Sequence, residues 1–530
     1  MAESSGLAAS SAIVLVCVSL ALTLALSGTQ AFIGARVGSD HAVHVFITRN
    51  IRDSGYRLFV RIPRLLNTCY CAALPLYMHW IVAHFRAAAV HWCERLLNPV
   101  VNTLHVAAFA LMAVIAAQLA GLPVGYIGLA SLAFALTPQF YHALSARNFG
   151  LSSRGTGLFL LTLFFLAAYA AQAGVAPILS WPALALLGWL IWGFNTFAQQ
   201  ALCIISVIVA AISGRFIPLA GALLGLLVFI ALHPRYSLGY LRHTLRFICT
   251  YRRELAPIYI LAARPSIWRD LVQDLWRKRS GGFRKWVRYG YGNSLLIVLF
   301  LNPLSIVACI AAVGGLLPPD GFMAYAGTLT VAGMAAMLLT SVRATRFLGE
   351  PERYVEAVEP WAVLCAAYLL VTRQQWALLA AVSFVFLILD LIQLYAGRLL
   401  LGHVGGQNAQ LRDVELAVRE RLPGGVRFCS NNEHLTKMLM QNDWHYAYSL
   451  AVGQGYCGMK VQEAFTEFPL LRREACERIV TTYRVNACLL DRTVFETLFD
   501  EPPPGLRGMS VAYESPRLRL LILDWAEVGA

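Results

Sequence analysis

A short polar segment, Gly38-Ser39-Asp40-His41-Ala42-Val43-His44, follows the first long apolar run of the chain. It places one carboxylate and two imidazoles within about one helical turn at the mouth of a membrane span. Such a carboxylate can accept a proton from a substrate hydroxyl, and the imidazoles can relay protons or bind a cation. We therefore expect chemistry at Asp40, with His41 and His44 beside it.

The residues after Asp40 predict the helix that positions it. Between His41 and Ser54, apolar and polar side chains alternate with helical spacing, and Gly55 can end the helix. We interpret this segment as an amphipathic helix along the membrane surface. Asp40 then lies at its N-terminus, where the helix dipole favours a carboxylate, and His44 shares its face. A capping role for Asp40 is the alternative, and it stays open.

The composition indicates a membrane protein with many spans. Hydrophobic residues make up 58% of the chain and charged residues 14%, whereas soluble domains have about 45–50% apolar residues. Runs rich in Ala and Leu favour helices over a barrel, whose strands would alternate. The net charge of +14 arises between the apolar runs, beside tryptophans, which favours anionic membrane lipids and not nucleic acid as the partner.

The apolar runs predict ten or eleven transmembrane helices. The first run is too long for a secretory signal, so we expect an uncleaved span. The runs are Ser11–Phe32, Asn102–Ala120, Val124–Leu136, Thr156–Ala171, Pro182–Trp192, Ala201–Leu232, Asn293–Leu316, Phe322–Leu339, Trp361–Val371 and Trp376–Tyr395.

One of these runs decides the side of the membrane on which the later segments lie. Ala201–Leu232 is about 30 residues long and is interrupted at Ser213-Gly214-Arg215, so it predicts either one long helix or two short ones. A basic segment, His233–Asn293, follows it with thirteen Lys and Arg residues. One span agrees with a cytoplasmic basic segment, and two spans place that segment outside. Both alternatives stay open.

Residues 399–530 have the composition of a soluble module. Val426–Ser430 and Asn486–Asp491 predict buried strands, and Met509–Glu514 with Leu518–Leu523 predicts a hairpin. The predicted helices of this module are Asn432–Gln441 and Leu470–Thr482. We therefore expect a small α/β domain at 399–530 after a transmembrane domain at 1–398. The latter contains a first extracytoplasmic loop at 33–99 and a basic interfacial segment at 233–293.

The cysteines do not have the spacing of a zinc site. Twelve are scattered along the chain, and the C-terminal module contains four of them, Cys429, Cys457, Cys476 and Cys488. The sequence has no CxxC pair. We interpret most of these thiols as small core residues.

Two further polar segments lie at span ends. "LTPQFYH" (Leu136–His142) is followed by Arg147 and Arg154, and "FLGEPERY" (Phe347–Tyr354) follows Arg346. Guanidinium groups at span ends can bind the phosphate of a lipid headgroup.

The order of these elements resembles the GT-C superfamily, the multi-span glycosyltransferases that use polyprenyl-phosphate-linked sugars. The resemblance covers Ser11–Arg398. It rests on the acidic first loop with Asp40, on Pro75-Leu76-Tyr77 before the second span, on "LTPQFYHALSARN" and on "FLGEPERY".

The resemblance implies a GT-C-like bundle in a bacterial inner membrane and a function for each segment. Asp40 would be the general base that deprotonates an acceptor hydroxyl of a glycan, lipid or protein. Arg147, Arg154, Arg346 and Arg353 would hold the phosphate of the polyprenyl-phosphate-sugar donor. The other substrate-binding candidates are His41, His44, Tyr141, His142, Glu350 and Tyr354.

Some of these residues also have simpler explanations. Glu350 can pair locally with Arg353 or Arg346, and Tyr141 and His142 can anchor a span at the headgroup level.

The chain departs from the family in its first loop, which offers Asp-His in place of a paired-acid motif. A divalent cation such as Mg²⁺ or Mn²⁺ at Asp40, His41 and His44 is therefore an open expectation. The competing function is a transporter or lipid flippase in which these three residues relay protons. A transporter should show ionisable groups at mid-span and internal repeats, and the sequence offers only Asp390 deep within an apolar run and no obvious repeat. A third alternative is a non-catalytic membrane scaffold.

Overall fold

The computed structural model of this 530-residue chain describes residues 2–34, 39–58, 62, 64–66, 75–141, 150–255, 294–342, 344–448, 458–467, 469–492 and 509–522. The chain divides into two compact units. Unit 1 comprises Met1–Ala35, His91–Pro234 and Arg264–Arg398. Unit 2 comprises Arg36–Val90, Arg235–Ala263 and Leu399–Ala530.

Helices dominate the described residues as far as Arg421. In chain order they are α1 (Ala2–Gly34), α2 (Ser39–Asp53), α3 (Tyr77–Ala83), α4 (Ala87–Ala120), α5 (Gly125–Ala135), α6 (Arg154–Gln172), α7 (Pro177–Phe194), α8 (Thr196–Ser213), α9 (Ile217–Leu232), α10 (Pro234–Thr250), α11 (Ser294–Leu301), α12 (Pro303–Val313), α13 (Gly321–Thr340), α14 (Glu352–Thr372) and α15 (Trp376–Arg421).

Eight of the described helices are long and apolar enough to cross a membrane: α1, α4, α6, α7, α8, α13, α14 and the first part of α15, Trp376–Arg398. The pair α11 and α12 is bent by 92° at Asn302 and counts as a ninth candidate if it forms one broken span. Two shorter apolar helices, α5 and α9, complete the set of predicted runs. The chain is a multi-pass membrane protein, and the predicted helical bundle is confirmed.

The interrupted run Ala201–Leu232 forms two helices. Gly214 ends α8 with a φ of 67°, a left-handed conformation that favours glycine, and its N–H donates to the carbonyl of Ala210. Pro218 lies in the first turn of α9, where a proline costs no hydrogen bond. The chain therefore breaks at 214–216, as the two-helix alternative requires.

Helix α14 lies at the centre of unit 1. Trp361 on this helix is fully buried and packs against Phe322 and Tyr325 of α13. The helix begins at Glu352, nine residues before the apolar run that predicts it. The predicted run began too late because Glu352, Glu356 and Glu359 are acidic and interrupt the apolar pattern of a span. All three are nevertheless buried.

The C-terminal module of unit 2 combines strands and short helices. Its elements are β1 (Arg427–Ser430), α16 (Glu433–Leu439), β2 (His445–Tyr446), α17 (Val461–Ala464), β3 (Phe465–Glu467), β4 (Leu470–Leu471), α18 (Arg473–Tyr483), β5 (Ala487–Asp491), β6 (Ser510–Glu514) and β7 (Leu518–Ile522). The predicted strands, helices and hairpin are confirmed within a few residues.

Five of the strands form one sheet of order β2-β1-β5-β7-β6. Strand β1 is parallel to β2 and β5, whereas β7 is antiparallel to β5 and β6.

The first loop packs against this module. Leu65 forms a parallel bridge to Tyr446 of β2, and Leu66 N–H donates to the Tyr446 carbonyl at 2.8 Å. Helix α2 packs on α3 and α16, and its Phe46 meets the Tyr446 ring edge-on at 5.5 Å. The apolar face of α2 is therefore buried against protein. The sequence predicted that this face would contact the membrane surface.

Two segments assigned above to residues 1–398 thus belong to unit 2, namely 36–90 and 235–263. The Glu254 carboxylate, in a short π-helix Tyr251–Leu255, accepts a hydrogen bond from Val461 N–H of α17. The first loop, the start of the basic segment and the C-terminal module are therefore parts of one compact unit. Residues 256–293 lie outside the described part of the chain.

Candidate functional site

Helix α2 contains Asp40 in its first turn, as predicted. The side chain of Asp40 lies outside the described residues. One residue later, His41 is buried. One turn later, His44 Nδ1 lies 2.7 Å from His79 Nε2, and the two rings are stacked with centroids 5.0 Å apart.

The partner of His44 belongs to the segment "PLYMH". Leu76 precedes α3, and its N–H donates to the Tyr236 hydroxyl at 2.8 Å, which fixes the start of that helix. His79 on α3 is buried. Burial lowers the pKa of His79 well below its usual value, nearby His44 lowers it further, and the Pro75 carbonyl opposes both effects.

The short distance between His44 Nδ1 and His79 Nε2 allows the two rings to share one proton in a hydrogen bond. A hydrogen bond between Nδ1 of His44 and Nε2 of His79 needs one nitrogen to donate and the other to accept. Since the lowered pKa keeps His79 neutral near pH 7, the pair can pass a proton but does not hold two positive charges.

The predicted cation site in the first loop is not assembled by the described residues. Among them, no group of three or more His, Asp, Glu or Cys side chains has metal-ligand spacing in this loop. The carboxylate of Asp40 is not part of that set, so Mg²⁺ or Mn²⁺ binding stays a prediction.

Unit 1 contains a second cluster, which we call the polar layer: Gln139, Arg154, Ser294, Asn302, Glu352 and Glu356. The Gln139 amide donates to the Glu352 carbonyl at 3.1 Å and accepts from the Asn302 amide at 2.9 Å. The Ser294 hydroxyl donates to the Glu352 carboxylate. Asn302 also accepts from Ser305 N–H at the break between α11 and α12. These hydrogen bonds pair the buried amide, hydroxyl and carboxylate groups with one another, as an apolar interior favours.

The polar layer includes a buried ion pair. Arg154, the first residue of α6, pairs with Glu356, which lies one turn into α14. Arg154 Nε is buried and has no hydrogen-bond partner among the described residues. The guanidinium is therefore fixed by one nitrogen while another donor remains available.

The segment "FLGEPERY" contains a local ion pair, which the sequence analysis gave as the alternative to phosphate binding. Arg353 pairs with Glu350, and its guanidinium carbon lies 5.7 Å from the centroid of the Phe197 ring. Its Nε likewise has no hydrogen-bond partner in the described part of the chain. Tyr354 is buried, and its hydroxyl donates to the Leu348 carbonyl at 3.0 Å.

Tyr141 lies inside the bundle. Its ring is buried, and its hydroxyl donates to the Ala135 carbonyl at 2.7 Å. The Gln30 amide, in the last turns of α1, donates to the Tyr141 carbonyl. The C-terminal end of α1, from which the chain continues toward Asp40, therefore lies beside "LTPQFYH".

The structure brings two predicted segments together. Gln139 of "LTPQFYH" bonds to Glu352 of "FLGEPERY", and Arg154 pairs with Glu356 just beyond it. Arg154 and Arg353 therefore belong to the same end of unit 1. His142 and Arg147 lie outside the described residues, as does the side chain of Arg346.

Several residues of these clusters were not identified from the sequence, among them His79, Glu352 and Glu356. His79 is separated from His44 by 35 positions, so no spacing rule connects them. Glu352 and Glu356 did carry a signal, because acidic residues one helical turn apart at the start of an apolar run predict a functional or paired face.

Two crystal structures resemble the whole chain. They are ArnT from Cupriavidus metallidurans bound to undecaprenyl phosphate, at 14% identity, and the apo state of the same protein, at 13% identity. Each match covers 96% of this chain and 97% of the other, with a TM-score of 0.54. ArnT is a GT-C glycosyltransferase. The chain has the GT-C fold.

The GT-C fold extends over both units, since the match covers 96% of the chain. The resemblance stated from the sequence is thus confirmed for the fold. No protein-family model and no curated protein sequence matches the chain.

Proposed function

We propose that this chain is a glycosyltransferase of a bacterial inner membrane that transfers a sugar from a polyprenyl-phosphate-linked donor. The acceptor is a hydroxyl of a lipid-linked glycan, polysaccharide or protein. The observation that carries the proposal is the fold shared with ArnT, one structure of which contains undecaprenyl phosphate. A multi-pass bundle gives such a lipid direct access from the bilayer.

The polar layer and Arg353, which follows Glu352 in the chain, supply suitable groups for the donor phosphate. Arg154 and Arg353 each have a buried Nε without a hydrogen-bond partner among the described residues. A phosphate offers several acceptor oxygens, and a guanidinium fork matches their geometry. The pairs with Glu356 and Glu350 hold each fork in place and offset its charge, so that a phosphate can also leave. Arg147, Arg346 and His142 remain candidates for the same role.

The sugar is transferred in one step, in which the acceptor oxygen directly displaces polyprenyl phosphate. Asp40 accepts the proton of the acceptor hydroxyl, and the hydroxyl oxygen attacks the anomeric carbon of the sugar. The bond between that carbon and the donor phosphate oxygen breaks, and polyprenyl phosphate leaves with the bonding electrons. The new glycosidic bond replaces the bond to phosphate, so no oxidant or reductant is needed. A general base of this kind typically contributes about 10²–10⁴-fold in rate.

The competing function is proton-coupled transport. It is favoured by Asp390, a fully buried residue of α15 whose two carboxylate oxygens have no hydrogen-bond partner among the described residues. Ionisable groups in this position often belong to proton pathways. A transporter would move a lipid or sugar without breaking the bond to phosphate, which separates the two hypotheses experimentally.

The experiment uses the full-length protein in proteoliposomes with synthetic undecaprenyl-phosphate monosaccharides. Mass spectrometry measures undecaprenyl phosphate released in the presence of bacterial envelope glycolipids as acceptors. Wild type is expected to release it, and Asp40→Asn is expected to release it about 10²–10⁴-fold more slowly. Binding of undecaprenyl phosphate, measured by thermal stabilisation, should persist in Asp40→Asn.

A second variant tests the phosphate contact separately. Arg154→Lys keeps the charge beside Glu356 but loses the planar fork, so undecaprenyl phosphate should bind about tenfold more weakly. The matched control is Arg373→Lys, which changes an exposed arginine at the other end of α14. This variant should bind undecaprenyl phosphate as wild type does. Normal turnover by Asp40→Asn would refute the mechanism. Movement of intact donor without bond cleavage would support a transporter instead.

A further inference from the structure

Three cysteine thiols converge in the core of the C-terminal module. Cys429 lies on β1, Cys488 lies directly opposite it on the parallel strand β5, and Cys476 projects from α18. Their sulfur atoms all lie within 4.8 Å of one another. We call these three residues the thiol trio. Single buried cysteines are ordinary core residues, but here three separate elements direct their thiols to one point.

The distances within the trio match a shared metal ion. Cys429 Sγ lies 3.6 Å from Cys488 Sγ, and Cys476 Sγ lies 3.9 Å from Cys488 Sγ. With a metal–sulfur distance of about 2.3 Å, three sulfurs in a trigonal plane are separated by about 4 Å. A disulfide would need a separation of about 2 Å. The thiols are thus arranged around a common centre and are not bonded in pairs.

The surroundings of the trio are apolar and rich in sulfur. All three cysteines are fully buried, and the same hydrophobic cluster contains Met459 and Met509. Soft thiolate and thioether ligands select Cu(I) over hard cations such as Mg²⁺. No His, Asp or Glu joins the trio among the described residues, whereas structural Zn²⁺ sites are almost always four-coordinate.

The thiolate is the form of cysteine that binds metals, so binding of an ion to the trio releases the thiol protons.

We propose that Cys429, Cys476 and Cys488 form a binding site for a soft metal ion, Cu(I), that crosslinks β1, β5 and α18. The bound ion stabilises the C-terminal module and through it the part of unit 2 on which α2 packs. Binding exchanges thiol protons for the ion and involves no redox step. This site is independent of the proposed glycosyl transfer.

The test measures Cu(I) binding to full-length protein in detergent under anaerobic conditions, in competition with a chromogenic Cu(I) chelator. Wild type is expected to take up about one equivalent per chain. Cys429→Ser, Cys476→Ser and Cys488→Ser should each lower the Cu(I) affinity by more than about 100-fold. Loss of an outer-shell partner costs up to about 100-fold, and loss of a direct ligand costs more. Cys365→Ser, which removes a buried thiol of unit 1, is the matched control and should bind Cu(I) as wild type does.

Two further measurements keep the test decisive if one variant does not fold. Copper X-ray absorption of the wild-type complex should show three sulfur neighbours. Cu(I) should also raise the thermal unfolding midpoint of wild type and protect the trio from alkylation during unfolding. Uptake that survives in all three serine variants, tighter binding of Zn²⁺ than of Cu(I), or a Cys429–Cys488 disulfide in the protein as purified would each overturn the assignment.

Discussion

Ion pairs in the two units have the same chemistry but very different surroundings. In unit 1, the side chains of Arg154 and Glu356 are 13% and 1% exposed. In unit 2, Arg64 pairs with Asp53 and Asp443, and the carboxylates are 49% and 75% exposed. Water screens the second set, whereas the first set has lost its hydration and depends on its partner. Ion pairs of the same residue types therefore do not contribute the same free energy in the two units.

The two units therefore hold their charged side chains in different ways. Unit 1 encloses the pair of Arg154 and Glu356 in an apolar bundle. Unit 2 positions the Asp40 helix mainly by apolar packing, with Phe46 on Tyr446 and exposed ion pairs at the rim. Variants in each unit can test the contrast.

The largest effect is expected at Glu356. Glu356→Gln leaves the Arg154 guanidinium buried without a counter-charge, which should lower the free energy of unfolding by about 4 kcal/mol. Unfolding in mixed micelles with increasing denaturing detergent measures the change. Glu350→Gln is the matched control, because its pair with Arg353 is about one-third exposed, and its effect should stay below about 1 kcal/mol. Equal losses in the two variants would contradict the contrast in burial.

The next largest effect is expected at Phe46. Phe46→Ala removes a buried ring between α2 and Tyr446 and should destabilise unit 2 by about 3 kcal/mol. Limited proteolysis of the first loop reports this change, because α2 opens more often when its contacts weaken. Leu416→Ala changes an exposed leucine of α15 and should leave the cleavage rate unchanged. A first loop that is equally resistant in both variants would show that α2 is held elsewhere.

A smaller effect on stability is expected from the titration of His79 as the pH is lowered. Its pKa in the folded protein lies below the value of 6.5 for an unperturbed histidine. As the pH falls through about 6.5, the unfolded chain binds a proton first, and stability falls by up to about 1.4 kcal/mol per pH unit until the folded pKa is reached. Thermal unfolding of unit 2 between pH 8 and pH 5 measures this loss.

The matched variants for that measurement are His79→Asn and His84→Asn. His79→Asn should flatten the pH dependence, since it removes the group that titrates. His84 is exposed one turn further along, so its variant should keep the wild-type profile. Identical profiles for wild type and His79→Asn would show that another group controls acid stability.

The smallest effect is expected at Arg64. Arg64→Ala removes both of its exposed ion pairs and should change stability by only about 0.5 kcal/mol, less still at high salt. Thermal unfolding at low and high ionic strength measures it. A loss as large as that of Glu356→Gln would mean that burial does not set the energy of these pairs.

Much of the fold could be predicted because it follows from local patterns. A span needs about 20 apolar residues, so the apolar runs identified the bundle. The C-terminal strands followed from short β-rich runs bounded by turn residues. The start of α14 could not be predicted in the same way, because Glu352 and Glu356 are stabilised there by Ser294 and Arg154, which are distant in sequence.

The candidate site was predicted in part. Asp40 at the start of a helix and His44 one turn later follow from helical periodicity, and the structure confirms that helix. The contact of His44 with His79 did not follow, since it joins two helices distant in sequence. The apolar face of α2 was likewise ambiguous, because burial against lipid and burial against protein need the same side chains.

The sequence by itself determined the membrane-spanning helices, the C-terminal α/β module and the position of Asp40 at a helix start, since each depends on neighbours a few residues away. The tertiary structure alone decided which polar groups meet: Arg154 with Glu356, His44 with His79, and the three thiols in one core. These contacts depend on how distant elements pack, and packing is set by the shape of whole surfaces and not by local spacing.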